Sequence, residues 1–380
     1  MKALVIGAGM MGCALAYDLA HSRAVTRVVV ADIDEERAKQ VAHSIGGIVE
    51  PRTLDTNRFG DAVALMGDAD VAIGATSYTH NVLLTRAAIA AKTHFCDLGG
   101  NMDAVNRQMQ LDAEAKSSDV CILPNCGLAP GMACVIAAGA ARQFDAVREI
   151  HIRVGGLPQR PTPPLNYQLV FSAEGLINEY IEPAEVLQEG RVTSVEPMTG
   201  VEALEFPPPF GTLEAFHTSG GVSTLTRMFA GTVGQLDYKT IRYKGHCDKF
   251  KTLLDLGFAS SEPIIVGTSI RTARELFEEL LRRKLPVNGP DAVLMRVQIA
   301  GSNGAAQKTL AYEMIDYYDE SAKMTAMMRT TAFPTSIIAQ MAADGRIKAR
   351  GVAPPEQCVP LGPFLEELKK RNIIIKESVR

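Results

Sequence analysis

The sequence predicts an α/β fold: a Rossmann-type, doubly wound parallel sheet, then a second α+β domain with a mixed or antiparallel sheet. Three observations predict it. The stretch GAGMMG at 7–12 fits G-x-G-x-x-G and stands between an apolar run, KALVI at 2–6, and a helical stretch at 13–20. A second apolar run, RVVVA at 27–31, ends in an acid, Asp32. Short apolar runs then alternate with helical stretches as far as residue 123, the pattern of crossovers onto a parallel sheet.

The glycines have separate tasks. Gly7 makes the tight turn, Gly9 lets the backbone approach a pyrophosphate, and Gly12 lets helix pack on strand. Met10 and Met11, within the motif, are expected to contact the cofactor, and the N-terminus of the helix at 13–20 points free N–H groups at the phosphates. Asp32 lies about twenty residues past the motif, where an acid bonds the ribose hydroxyls and repels a 2′-phosphate. The expected cofactor is therefore NAD, with Arg37 as the counter-signal.

The remaining elements follow in order. A helix is expected over 35–44, a third strand within 47–55, a short helix over 62–66 and a fourth strand over 70–74. Asp55 falls on the adenine-side loop. Ala75, Thr76, Ser77, Tyr78 and His80 form a polar loop before a helix over 82–91. The fifth strand, 93–97, ends in Asp97, Leu98, Gly99 and Asn101; a helix covers 108–116. The sixth strand, 119–123, leads to Asn125. Ligands of such sheets bind beyond the carboxyl ends of the strands, which gathers these loop residues around one crevice.

Near residue 145 the pattern changes. EIHIRV at 149–154 alternates as a half-buried strand does, and further strands are expected over 213–217, 240–243, 293–300 and 310–318. Helices are expected over 249–256, 271–284, 336–343 (Pro334 near its start) and 364–371. Strands with few crossovers suggest a sheet with one open face, which dimerises or covers a site. The predicted domains are 1–130 for the nucleotide, 131–330 for substrate and dimerisation, and 331–380 as a C-terminal helix and tail.

With 380 residues, 47% apolar and 22% charged, the composition is that of a globular enzyme. A net charge of −4 argues against a nucleic-acid partner. No apolar run is long enough for a bilayer, and the turn glycines distinguish the N-terminus from a signal peptide. Seven cysteines without paired spacing suit a reducing cytoplasm. No H-E-x-x-H or clustered Cys/His set points to a metal.

Several segments together resemble the saccharopine dehydrogenase superfamily, most closely its lysine 6-dehydrogenase branch. They are CDLGG at 96–100, GLAPG at 127–131, GGLP at 155–158, PPLNY at 163–167 and FSAEGL at 171–176. LEAFHTSGG at 213–221, YKTIRYKGH at 238–246 and MMRTTA at 327–332 complete the set. The resemblance implies that the C-terminal segment returns to the nucleotide domain. It implies NAD-dependent oxidative deamination of the ε-amine of L-lysine, giving 2-aminoadipate 6-semialdehyde, and a homo-oligomer, dimer or dimer of dimers. The alternatives are a saccharopine-type enzyme on another amino-acid imine and a non-catalytic NAD-binding protein.

That chemistry needs a neutral ε-amine, a fork for the α-carboxylate and a carboxylate for the α-ammonium. His217 is the first candidate base, Arg242 the fork and Glu174 the ammonium partner. Thr218 and Asn101 are further substrate-side candidates, and Tyr78 and His80 flank the expected nicotinamide. Asp97 either orients the amine or caps the Gly99–Gly100 turn. Arg153 and Arg227 are spare clamps for a substrate with a second carboxylate.

Overall fold

The computed structural model of the protein describes residues 1–267, 269–287 and 289–379. In chain order the strands are β1 (Lys2–Ile6), β2 (Arg27–Asp32), β3 (Val49–Thr53), β4 (Val71–Gly74), β5 (His94–Asp97) and β6 (Cys121–Leu123). There follow β7 (Ala146–Pro158), β8 (Ala184–Gln188), β9 (Arg191–Val195), β10 (Glu202–Phe206), β11 (Gly211–His217) and β12 (Gln235–Tyr243). The last are β13 (Pro263–Val266), β14 (Ser269–Thr272), β15 (Asp291–Asn303), β16 (Ala306–Tyr317), β17 (Gly351–Val352) and β18 (Lys376–Val379).

The first unit comprises Met1–Gln143, Ser223–Leu225 and Met328–Ile374. Its sheet is parallel, in the order β17-β6-β5-β4-β1-β2-β3. This is the expected doubly wound sheet with a seventh strand added. β17 is supplied by the returning chain: the Gly351 and Ala353 amides donate to the Val120 and Ile122 carbonyls at 2.8 and 3.0 Å. Two residues led by a glycine carry no strand signal. The unit runs past 130 to Gln143, because the apolar helix Ala133–Ala141, buried almost all round, belongs to it.

Two helices differ from the sequence expectation. The stretch over 108–116 divides into Met102–Met109 and Asp112–Ser117. The helix expected from 336 begins at Ala326 and carries Pro334 in its interior. Its start is fixed by Asp291, whose carboxylate accepts the Ala326 and Met327 amides at 2.6 and 2.9 Å. A cap so distant in sequence leaves no local signal.

The second unit comprises Phe144–Val222, Thr226–Met327 and Ile375–Arg380. Its main sheet runs β10-β11-β12-β7-β15-β16-β18, with β8 joining β12 and β9 joining β8. Only β12 and β7 pair in parallel, so the sheet is mixed. One face is covered by the helices Ala173–Ile181, His246–Asp255 and Ala273–Lys284, which bury Tyr180, Phe250 and Phe277 with Phe216 of the sheet. The other face is not bare as expected: Leu213, Ala215, Ile241 and Leu294 are buried there with Phe206 and Phe210.

Candidate functional site

In the first unit the fingerprint turn is dictated atom by atom. Gly7 has φ +108°, and a Cβ on it would stand 2.5 Å from the Ala75 carbonyl oxygen. A Cβ on Gly12 would stand 1.8 Å from the Gly7 oxygen. Gly9 opens onto free space, with nothing within 4 Å of its Cβ position. The helix Met10–Ala20 has no side-chain cap and no acid in its first turn, so its positive end faces that space uncompensated.

Asp32 closes β2 with both oxygens held, accepting the Ala8 amide at 2.6 Å and the Asp34 amide at 2.9 Å. Asp55 turns its own loop through the Asn57 amide at 3.0 Å. Ala75 bonds the Ile6 carbonyl at 2.7 Å, beside the Gly7 turn. The Thr76 hydroxyl and the Asn125 Oδ1 are buried without a partner, while Asn125 Nδ2 donates to Ser223 Oγ at 3.1 Å. An open glycine, a free helix end and orphaned polar atoms at the strand ends fit a dinucleotide.

The other loop residues have local tasks. Ser77 caps the turn Tyr78–His80, and His80 Nδ1 lies 3.0 Å from Thr56 Oγ1. Tyr78 is half-buried beside Gly100. Asn101 caps the helix Met102–Met109 through the Ala104 amide at 3.0 Å. Half-buried Leu98 leads into Gly99, whose amide donates to Asp97 Oδ1 at 2.8 Å. Asp97 is wholly buried, and also accepts the Asn125 amide at 3.1 Å and Gln108 Nε2 at 2.7 Å. It holds the turn together. Burial pushes its pKa up against these three hydrogen bonds.

In the second unit the register decides what shares a face, since opposed residues point the same way and alternate along a strand. Glu214 is opposite Arg242 and Phe216 opposite Thr240; His217 is opposite Lys239. Arg242 and His217 therefore lie on opposite faces, and the expected pairing of base and fork in one pocket is corrected. Glu174 is exposed in the first turn of Ala173–Ile181, where Ser172 supplies the cap.

Arg242 is 2% exposed. Its Nε donates to the Tyr180 hydroxyl at 2.8 Å and one terminal nitrogen to its neighbour's carbonyl, that of Ile241, at 2.9 Å. The guanidinium lies 4.8 Å from the centroid of the Tyr167 ring. Glu214, opposite it, turns away to accept the Gly245 and Cys247 amides at 2.8 and 2.7 Å. Among the described residues no carboxylate forms an ion pair with Arg242.

After Tyr180 and Tyr167, the group acting electrostatically on Arg242 is a carboxyl, Glu179, in the last turn of Ala173–Ile181. Its carboxyl has no hydrogen-bond donor among the described residues, and burial pushes its pKa up to about 7 despite the Arg242 charge. On the same face Thr218 Oγ1 meets Thr240 Oγ1 at 2.7 Å, and Thr240 lies 3.3 Å from the Tyr238 hydroxyl. Glu179 was missed in the sequence, although an acid in a helix's last turn opposes the macrodipole and is a signal of another task.

The opposite face carries a closed ion network. Arg153 grips Asp237 through two nitrogens at 3.0 and 2.9 Å and also pairs with Glu202. Glu202 accepts Lys239 Nζ at 2.9 Å. His151 Nδ1 lies 2.5 Å from Asp237. Burial and then the Lys239 charge push the His217 pKa down. Arg153 is thus committed, and Arg227 lies exposed on the helix Leu225–Phe229.

Family models match both parts: "Saccharopine dehydrogenase NADP binding domain" over residues 3–123 and "Saccharopine dehydrogenase C-terminal domain" over 127–374. The chain belongs to the saccharopine dehydrogenase family. The mitochondrial alpha-aminoadipic semialdehyde synthase of Bos taurus is 21% identical over 446 residues, 98% of this chain and 47% of that protein. Saccharopine dehydrogenase [NADP(+), L-glutamate-forming] of Pyricularia oryzae is 25% identical over 245 residues, 62% of this chain and 53% of that protein. The chain spans about half the length of the curated relatives it matches. Saccharopine dehydrogenase (L-Glu forming) from Saccharomyces cerevisiae has the same fold, with a TM-score of 0.80 at 18% identity over 100% of this chain and 99% of that one. The chain thus carries both parts of this family, a nucleotide-binding domain and a C-terminal domain. No helix among the described residues is long and apolar enough to cross a membrane.

Proposed function

We propose that the protein oxidises the ε-carbon of L-lysine with NAD and water, yielding 2-aminoadipate 6-semialdehyde, ammonia and NADH. The observation that carries this reading is Arg242: a buried guanidinium without a carboxylate ion pair, with the half-buried Glu179 acting on it electrostatically and Glu214, opposite it, engaged with backbone amides. An unpaired buried charge is costly, so its retention calls for an anionic ligand. The pair suits the head group of an α-amino acid, carboxylate on Arg242 and ammonium on Glu179.

NAD, when bound, supplies the hydride acceptor. Gly9, the Met10–Ala20 helix end, Thr76, Asn125 and Asp32 would hold it. Asp32, fixed by two amides, favours NAD by setting a negative charge at the place of a 2′-phosphate. Arg37, the counter-signal, lies 3.8 Å from Asp34. The head-group clamp orients the chain of the substrate and so selects its length. The hydroxyls of Thr218, Thr240 and Tyr238 extend the polar surface beside the clamp.

The relatives' names favour a second reading, oxidation of saccharopine with NADP. Saccharopine carries additional carboxylates and calls for a second guanidinium. Arg153, one spare candidate, is locked by Asp237 and Glu202, which supports lysine instead. A homo-oligomer is the proposed assembly, supported by the uncovered Ile265 and Ile270, paired across β13 and β14. Light scattering checks it. A cytoplasmic setting is proposed from the seven free thiols.

The decisive experiment measures reduced cofactor formed from lysine and from saccharopine, each with NAD and with NADP. Activity with lysine and NAD is expected. Turnover of saccharopine alone would move the assignment to the second reading.

A further inference from the structure

We infer that Tyr180 and His246 are positioning residues that set the rotation of the Arg242 guanidinium and so select substrates with a carboxylate head group. The inference rests on the clamp reading above. Its observations are a run of three hydrogen bonds whose direction is forced. His246 Nδ1 lies 3.0 Å from the Leu165 carbonyl oxygen. A carbonyl only accepts, so Nδ1 bears the proton and Nε2 of the neutral ring is an acceptor. Nε2 lies 3.1 Å from the Tyr180 hydroxyl, which must donate to it. The hydroxyl then turns a lone pair to the Arg242 Nε at 2.8 Å.

The aromatic shell fixes the relay. His246 stacks on Phe250 at 26° and Phe216 at 10°, and Tyr180 meets Phe250 edge-on at 86°. Burial, then the Arg242 charge, pushes His246 down to about 3, so the ring stays neutral and the relay keeps its direction.

The guanidinium is thereby held at Nε by Tyr180, at one terminal nitrogen by Ile241, and on its face by Tyr167. Five N–H groups are available to an arginine, and the remaining three have no acceptor among the described residues. They present the fork that a planar carboxylate matches. Without the Tyr180 hydroxyl, Nε would lose its acceptor and the fork its fixed rotation.

The test uses the NAD-loaded protein and two probes, with binding measured by calorimetry. L-Norleucine has the amino-acid head group without a distal amine; 1,5-diaminopentane has the amines of lysine without its carboxylate. Tyr180→Phe keeps the ring and removes the hydroxyl. His246→Leu removes the acceptor, and His246→Gln restores an oxygen to take the Tyr180 proton. Norleucine affinity is expected to fall about tenfold in Tyr180→Phe and His246→Leu, the loss of one hydrogen bond to a charged group, and to recover in His246→Gln. Diaminopentane affinity is expected to hold, whereas general damage to the core would lower both. The relay is overturned if Tyr180→Phe binds norleucine as the parent does, or loses both probes together, while Arg242→Gln loses norleucine. If Arg242→Gln itself keeps norleucine, the clamp reading fails and the relay with it. Should His246→Leu not fold, the near-isosteric Tyr180→Phe decides alone.

Discussion

Arg242 and His217 stand on neighbouring strands of one sheet and point to opposite faces, because Arg242 is opposite Glu214 and His217 opposite Lys239. No pocket on one face can use both. The base and the fork expected from sequence are thus not on one face, and on the Arg242 face Glu179 is the carboxyl whose pKa is raised to about 7. His217→Gln is expected to leave the pH profile of lysine turnover in place. Glu179→Gln is expected to flatten its limb near neutrality. The reverse outcome would return the site to the His217 face.

Glu179 also makes a prediction about pH and stability. Its folded pKa is about 7, above the ordinary carboxylate value. The native protein therefore holds a proton that the unfolded chain releases, and stability falls as pH rises from the ordinary value through about 7. Glu179→Gln should thus stabilise at pH 8 by on the order of 1–3 kcal/mol and little at pH 5. Lysine binding should run the other way in the parent: KM falls as pH rises through about 7, as Glu179 ionises to take the α-ammonium. Thermal melts and KM values across that range check both signs.

Arg242→Lys separates fork from charge. A lysine retains the charge but cannot take the Tyr180 bond and present a planar edge together. KM for lysine is expected to rise by about tenfold or more, with the KM for NAD unchanged. Equal losses for both ligands would mean a structural defect.

The fingerprint glycines give a paired prediction. Gly12→Ala places a methyl 1.8 Å from the Gly7 oxygen and should lower the melting temperature along with cofactor affinity. Gly9→Ala meets no protein atom within 4 Å and should weaken cofactor binding with the melting temperature kept. Two equal losses of stability would show that Gly9 is not facing a ligand.

The first sheet was legible because its central strands β1, β2 and β4 are apolar runs joined by stretches of helical periodicity, both local properties. β17 was not: two residues complete the sheet only because the returning chain brings them to β6. The start of the helix Ala326–Ala343 was hidden for the same reason, its cap being Asp291. In the site, Arg242 could be picked out as a charge inside a strand pattern. The acid acting on it could not, because Glu174 and Glu179 are both acids of one short helix and only packing leaves the first exposed and the second half-buried. Which face His217 takes depends on the spacing of two strands, 217 against 239, and cross-strand register is not written in either strand alone.

The last prediction concerns Arg371 and Asp18. Arg371 Nε donates to Asp18 Oδ1 at 2.7 Å, and also pairs with Glu367 at 2.9 Å. Asp18 lies in the Met10–Ala20 helix, whose first turn faces the proposed phosphate site, and its other oxygen is buried without a hydrogen bond. Burial pushes the Asp18 pKa up, and Arg371 offsets part of that. Arg371→Met would leave a buried carboxylate unpaired, at a cost of about 3–5 kcal/mol. The sign with pH follows. An acid whose folded pKa is raised destabilises most when solvent would ionise it, so the loss should be large at neutral and alkaline pH and shrink as pH falls toward the ordinary carboxylate range. Adding Asp18→Asn should recover much of it, because the charge left behind is then gone. NAD affinity should follow the melting temperature in the single and double variants, since the Met10–Ala20 helix supports both. A single variant whose melting temperature matches the parent at pH 8 would show that the C-terminal segment does not brace this helix through Arg371.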